Sequence, residues 1–188
     1  MPYSIRSLRP GDAAALADLL NNPKLQANLR DGLPLPYSLQ DAEAFIEAMR
    51  TAPPEDCFSF AITEDDVLIG HLSIVRRGNI HRQTAELGYY IAESHWGRGI
   101  ATRAVTMACR QVFSRSNIIR IFAEPFAKNA ASCRVLEKAG FQLEGLMRCN
   151  AVKHGEILDM KLYSLLHPSV LSPRFLSAGP ADITDYQK

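Results

Sequence analysis

The chain has 188 residues, enough for a single domain with a substantial core, and 47% of them are hydrophobic against 22% charged. A net charge of +1 gives bulk electrostatics no purchase on nucleic acid. No apolar run approaches membrane-spanning length and no signal peptide opens the sequence, so the expectation is a cytoplasmic protein with neither nucleic-acid nor membrane partner.

Residues 3–9 read as a first strand. Asp12 to Asn21 reads as a helix with apolar Ala15, Leu16, Leu19 and Leu20 on one side. A loop runs from Leu25 to Tyr37. Ser38, with Asp41 three residues on, forms a capping box for a helix reaching Arg50, which Pro53-Pro54 stops. Phe58–Thr63 and Val67–Val75 form a hairpin across Glu64-Asp65-Asp66. Gly78 marks a turn into a strand at 84–92. A helix of about four turns follows from Ile100. Ile118–Ala123 is a strand and Asn129–Ala139 a short helix stopped by Gly140. Phe141–Met147 and Ile157–Leu165 are the last strands. Residues 1–166 are expected to form one domain. Residues 167–188, with Pro168, Pro173 and Pro180 and no sustained periodicity, read as an irregular tail, flexible or docking a partner.

The most informative stretch is Tyr89-Tyr90-Ile91-Ala92-Glu93-Ser94-His95-Trp96-Gly97-Arg98-Gly99-Ile100-Ala101-Thr102. Upstream, Ala85, Leu87, Tyr89 and Ile91 alternate with Glu86, Gly88 and Tyr90, as in a strand with one apolar face. Downstream, Ile100, Ala104, Val105, Ala108, Cys109 and Val112 recur at helical spacing. Gly97–Thr102 is therefore a strand-to-helix junction. A helix start offers unpaired N–H groups and the positive end of the helix dipole, and glycines let a ligand come close. Together they make a site for phosphate or pyrophosphate; the alternative is a tight turn that needs two glycines. A Walker A loop is excluded because Gly-Lys-Ser/Thr is absent. An NAD site fits poorly: Thr102 stands where the fingerprint wants a third Gly or Ala, and no acid follows at the expected distance. The four cysteines, Cys57, Cys109, Cys133 and Cys149, show neither paired metal spacing nor a disulfide framework. No metal site is expected, and Cys109 and Cys133 fall on apolar helix faces as core residues.

Gly-Tyr-Tyr-Ile-Ala followed by Trp-Gly-Arg-Gly-Ile-Ala-Thr resembles the acetyl-CoA-binding core of the GNAT superfamily of N-acetyltransferases. A second block, Asn129-Ala-Ala-Ser132-Cys-Arg-Val-Leu136-Glu-Lys-Ala-Gly140-Phe141, is similar to the family's Asn-x-x-Ser…Gly-Phe helix. The resemblance covers about residues 3 to 164. It is nearest the branch of ribosomal-protein N-terminal (alanine/serine) acetyltransferases, with which Trp96, in the place of the usual Gln or Arg, is associated. It implies an α/β fold of α+β type: a central mixed, mostly antiparallel sheet of six to seven strands flanked by about four helices.

The resemblance also implies direct transfer of acetyl from acetyl-CoA to a primary amine, with the protein supplying position. Backbone N–H groups of Gly97, Arg98, Gly99, Ile100, Ala101 and Thr102 would cradle the pyrophosphate, with Trp96 in the same turn. Arg98 would add charge. Tyr89, Tyr90 and Ile91 would pair with the pantetheine arm as an extra strand and polarise the thioester carbonyl. Asn129 would contact pantetheine or adenosine while serving as a helix N-cap. Glu86 is the candidate base, its plain alternative being a strand glutamate paired with arginine. The short helix lacks the tyrosine that many relatives use as acid; Leu136 stands there, and Ser132 is the remaining hydroxyl, for the acid or for first-turn hydrogen bonding. Asn150 and Ala151 stand where ribosomal-type relatives place a late carboxylate.

Acceptor selection should lie in the Leu25–Tyr37 loop, the Arg77–Arg82 turn and Cys149–Gly155, where Asp31, Tyr37 and His154 could meet an ammonium or a peptide backbone. The leading acceptor is a protein or peptide N-terminus. Small amines (polyamine, aminoglycoside or amino acid) and a non-catalytic acyl-CoA-binding module are the alternatives. A monomer or a homodimer is compatible with the sequence.

Overall fold

The computed structural model describes residues 3–171. Seven strands make one sheet: β1 (Tyr3–Arg6), β2 (Cys57–Glu64), β3 (Val67–Arg76), β4 (Thr84–Ile91), β5 (Arg120–Ala123), β6 (Gln142–Lys153) and β7 (Glu156–Leu166). Their spatial order is β1-β2-β3-β4-β5-β7-β6. Every neighbouring pair is antiparallel except β4 and β5. That parallel pair requires a crossover, which the helix α4 (Ile100–Arg115) supplies. The other helices are α1 (Ala13–Leu20), α2 (Pro23–Gln26), α3 (Leu39–Thr51) and α5 (Ala130–Lys138).

Strand alternation divides the core between the two faces of the sheet. Ile62, Leu72, Ile74, Leu87 and Ile91 pack with Ile100, Val105 and Cys109 of α4 and with Cys133 and Leu136 of α5. Ala61 and Leu68 pack with Leu16 and Leu20 of α1 and Ile46 of α3. Tyr89 joins the first group and Tyr90 the second, so the two tyrosines point to opposite faces. His71 of β3 is fully buried on the second face. Its Nε2 meets Ser59 Oγ at 2.9 Å, and its ring packs against Phe45 and Tyr90.

The capping box of α3 is present, with Asp in place of the usual Glu. Ser38 Oγ accepts from the Asp41 N–H at 3.1 Å, and Asp41 Oδ2 accepts from the Ser38 N–H at 2.8 Å. The main departures from the expected elements are these. The first strand ends at Arg6, whose guanidinium binds Asp12 and Asp66 as the chain turns into the short 3-10 helix Pro10–Asp12. The short helix α2 was not anticipated. Asn22 caps it, accepting from Lys24 and Leu25, and Pro23 takes its first position, where a missing N–H costs nothing. β6 continues past Met147 to Lys153, with its ladder interrupted between Met147 and Ala151. There Cys149 adopts φ +53° and donates its N–H to Asp159 Oδ1 at 2.8 Å. Of the expected 167–188 tail, His167 donates its N–H to the Ile119 carbonyl at 2.8 Å and opens the 3-10 turn Pro168–Leu171. The remainder, residues 172–188, lies outside the described residues.

Candidate active site

β4 and β5 pair only at Thr84–Glu86 against Arg120–Phe122. Past Glu86, β4 stays paired to β3 as far as Ile91, but its other edge has no strand partner. The strands part there, and a cavity of about 610 Å³ fills the wedge. Its walls include Leu87 to Ile91 of β4, Trp96, Gly97 and Gly99 to Thr102 at the start of α4, and Asn129 and Ser132 of α5.

Two left-handed glycines shape the turn into α4. Gly97 and Gly99 both sit at φ +74°, and a Cβ on either would meet nothing within 4 Å. They are needed for the backbone conformation, which costs an L side chain roughly 1–2 kcal/mol, and not for room. Gly99 is the N-cap and, lacking a side chain, caps nothing. The residues that carry the first, uncapped N–H groups of the helix line the cavity, at the positive end of its dipole. Trp96 fastens the turn to the strand, its Nε1 donating to the Ile91 carbonyl at 2.8 Å.

The Arg98 side chain is not part of this wall. Its guanidinium binds Glu64 at 3.0 Å and the Tyr3 hydroxyl, and lies over the Tyr3 ring. Glu64 also accepts from His95 at 2.8 Å. The hydrogen bonds from His95 and Tyr3, with Arg98 nearby, hold its carboxyl below the usual range. The basic groups that do line the cavity are Arg30 and, on α5, Arg134 and Lys138.

Glu86 occupies the last position of β4 that pairs with β5, opposite Phe122, on the strand face away from Leu87. Its side chain is 15% exposed and bound by two arginines: Arg30 on Oε1, and Arg77 on Oε2 at 2.6 Å. Arg30 also lies 3.4 Å from Glu124 Oε2, just past the end of β5, and Arg77 lies over the Phe122 ring. On the opposite wall, Ser132 Oγ and the Tyr89 hydroxyl are 2.8 Å apart, and the same hydroxyl donates to the Ser132 carbonyl at 3.2 Å. Burial pushes the Tyr89 phenol up to about 12, although its bond to Ser132 acts the other way. Tyr90 is raised further, also by burial. Asn129 Oδ1 accepts from the Ser132 N–H at 3.1 Å, so it caps α5 while lining the cavity.

Glu86, Tyr89, Tyr90, Ile91, Trp96, Gly97, Gly99, Ile100, Ala101, Thr102, Asn129 and Ser132 thus share one cavity. Asp31, Tyr37 and His154 are not among its walls. Asp31 pairs with Lys153 at 2.7 Å, Tyr37 is buried with its hydroxyl on the Asp41 carbonyl, and His154 sits exposed in the β6–β7 turn. Sequence reasoning missed Arg30, Glu124, Arg134 and Lys138. The last two are four apart on the helix that carries Ser132, a spacing that puts them on one face. Among the described residues no group of three His, Cys, Asp or Glu is placed to hold a metal, and no helix is long and apolar enough to cross a membrane.

Comparison with known proteins agrees with this architecture. The sequence model of the acetyltransferase (GNAT) domain family matches residues 4–142. A probable N-acetyltransferase of Bacillus subtilis, YjcK, is 38% identical over 113 residues, or 59% of this chain and 61% of that protein. The ribosomal-protein-serine acetyltransferase of Escherichia coli is 30% identical over 105 residues, 56% of this chain and 58% of that one. The matches to these curated relatives thus span a little over half of their length. Mycobacterium smegmatis RimJ, solved with a CoA-disulfide, superposes with a TM-score of 0.80 at 25% identity, covering 90% of this chain and 84% of that one. With a family match over most of its described residues and the wedge between β4 and β5 that the fold builds, the chain belongs to the GNAT acetyltransferase family.

Proposed function

We propose that this protein transfers acetyl from acetyl-CoA directly to a primary amine, with a peptide or protein N-terminus as the leading acceptor. The observation that carries this reading is the wedge itself. One cavity joins a bare helix N-terminus, an unpaired strand edge and a strand carboxylate. Each suits one part of the chemistry. The N–H groups of Gly97–Thr102 suit a diphosphate, with Arg134 and Lys138 adding positive charge. The free edge of Tyr89–Ile91 suits an extended amide-bearing arm.

Acetyl-CoA supplies the activated acyl group. The amine must arrive close to the thioester and lose a proton, since an ammonium has no lone pair. Glu86 accepts that proton. The nitrogen attacks the carbonyl carbon, the C–S bond breaks, CoA leaves as a thiolate, and the second proton, which the acylated nitrogen sheds to become a neutral amide, passes to that thiolate. Ser132, on the turn that Asn129 caps, swings its O–H from Tyr89 to donate a hydrogen bond to the departing sulfur. The free cysteines and the CoA co-substrate suit a reducing cytoplasm.

A second reading, acyl-CoA binding without turnover, draws on the two arginines that hold Glu86. Two measurements separate the readings. Melting temperature should rise with acetyl-CoA and not with NAD. Thiol release should then follow when peptides, polyamines or amino sugars are added. Binding without thiol release for any amine favours the silent module. No thermal rise overturns both. Preferential release with a polyamine or amino sugar moves the acceptor to the small-molecule class.

A further inference from the structure

Two carboxylates flank the point where β4 and β5 part, Glu86 on one strand and Glu124 just past the other, and both line the cavity. Arg30 reaches them from the loop between α2 and α3, binding Glu86 and lying 3.4 Å from Glu124. Resting on the acetyltransferase reading, we propose that Arg30 holds the place of the acceptor's ammonium, and that Glu124 joins Glu86 in selecting an acceptor with a single positive charge at its reacting end.

Arg30 and Arg77 are held differently. Arg77 is fixed on two sides, by Glu86 Oε2 at 2.6 Å and by the Phe122 ring. Arg30 is 61% exposed, and among the described residues the two glutamates are its only side-chain partners. Its neighbour Asp31 is separately tied to Lys153 at 2.7 Å, with the lysine 9% exposed. The loop is pinned beside Arg30, so the guanidinium can leave by side-chain rotation alone.

Charge decides what replaces it. With Arg30 gone, two carboxylates face one cation, Arg77, and one negative charge is left in a half-buried wall. A primary ammonium carries one positive charge and three donors, enough to reach both glutamates. Its binding is a cation-for-cation exchange that leaves no carboxylate stranded. A neutral or anionic acceptor cannot make that exchange. A polyamine brings a second cation towards Arg77 and the displaced Arg30. Glu124 holds the ammonium while Glu86 takes its proton, so Glu124 governs acceptor binding more than the chemical step.

The test is steady-state thiol release by the full chain at saturating acetyl-CoA, with a short alanine-initiated peptide as acceptor, for the unsubstituted protein, E124Q, R30A and R30K. E124Q should raise the acceptor KM on the order of tenfold, with kcat changing far less and the acetyl-CoA-induced rise in melting temperature intact. R30A should lower the acceptor KM roughly twofold to fivefold by removing the competitor, and R30K should restore it. Spermidine should be a poorer acceptor than the peptide for the unsubstituted protein. An unchanged acceptor KM in E124Q overturns the proposal. So does an R30A KM that rises and that R30K does not rescue, which would make Arg30 a loop-folding residue. Absence of thiol release by the unsubstituted protein overturns the transfer reading itself, an outcome distinct from altered KM values in active variants.

Discussion

Acid should loosen this fold in part through a buried histidine. His71 is fully buried on β3, bonded to Ser59 Oγ and packed between Phe45 and Tyr90, with no carboxylate among these contacts. Burial pushes its imidazolium down from 6.5 to about 4. The folded pKa lies below the unfolded one, so the unfolded chain takes up this proton first. The stabilisation is complete above 6.5 and is lost as pH falls towards 4. A gap of about 2.5 pH units corresponds to about 3 kcal/mol, a large fraction of ordinary domain stability. Urea unfolding between pH 7.5 and 4.5 measures it. Because carboxylates titrate in the same range, the informative quantity is the stability of the natural protein minus that of H71Q, which keeps a polar group facing Ser59 but cannot charge. That difference should shrink by about 2–3 kcal/mol across the window. A constant difference would refute the reasoning, and would mean that His71 carries its proton within the fold.

Three substitutions probe the cavity. E86Q should lower kcat by about 10²- to 10⁴-fold while acetyl-CoA still raises the melting temperature; a kcat within twofold of the natural protein would remove Glu86 as base. G99A meets no neighbour, so its cost is the left-handed backbone alone, about 1 kcal/mol by chemical unfolding, together with weaker acetyl-CoA binding by calorimetry; unchanged affinity would mean that the helix start is not the phosphate site. G70A places a Cβ 2.5 Å from the Tyr90 carbonyl and 3.0 Å from Ile91 Cα, both backbone atoms that cannot step aside. It should cost about 2 kcal/mol and also disturb acetyl-CoA binding, because the displaced residues line the cavity. A stability loss with binding intact would separate β3 packing from the site.

Local chemistry was readable in the sequence. The Gly97-to-Thr102 turn, the Ser38–Asp41 box and the alternation of β4 are set by residues at most a few positions apart, and each is present. Non-local pairing was not readable. Arg98 stands within the glycine turn, but Glu64, 34 positions away, holds its guanidinium. Arg30 reaches Glu86 across 56 positions and Glu124 across 94, and Asp31 reaches Lys153 across 122. No periodicity encodes such meetings; they depend on where the sheet order places strand ends and on long side chains that choose partners once folded. Tyr89 shows the intermediate case. Alternation gave its face correctly, but only the packing of α5 across β4 puts its hydroxyl on Ser132.

The two ends of the cavity are consequently built from different materials. At the helix end the cavity wall is backbone, fixed by two left-handed glycines, a tryptophan tether and the β3–β4 ladder. At the carboxylate end it is the side chains of Arg30, Glu86 and Glu124, with Arg30 61% exposed and Arg77 bracing Glu86 from behind the wall. Backbone cannot be exchanged by substitution without breaking an element, whereas an exposed loop arginine costs little to replace. Changes at Arg30, Arg77 or Glu124 can therefore redirect the acceptor while donor binding stays constant, whereas changes at Gly97 or Gly99 must affect every acceptor equally. A library randomised at the three side chains should yield active variants with altered amine preference and unaltered acetyl-CoA KM. Preference and donor KM moving together would show that the two ends are mechanically one.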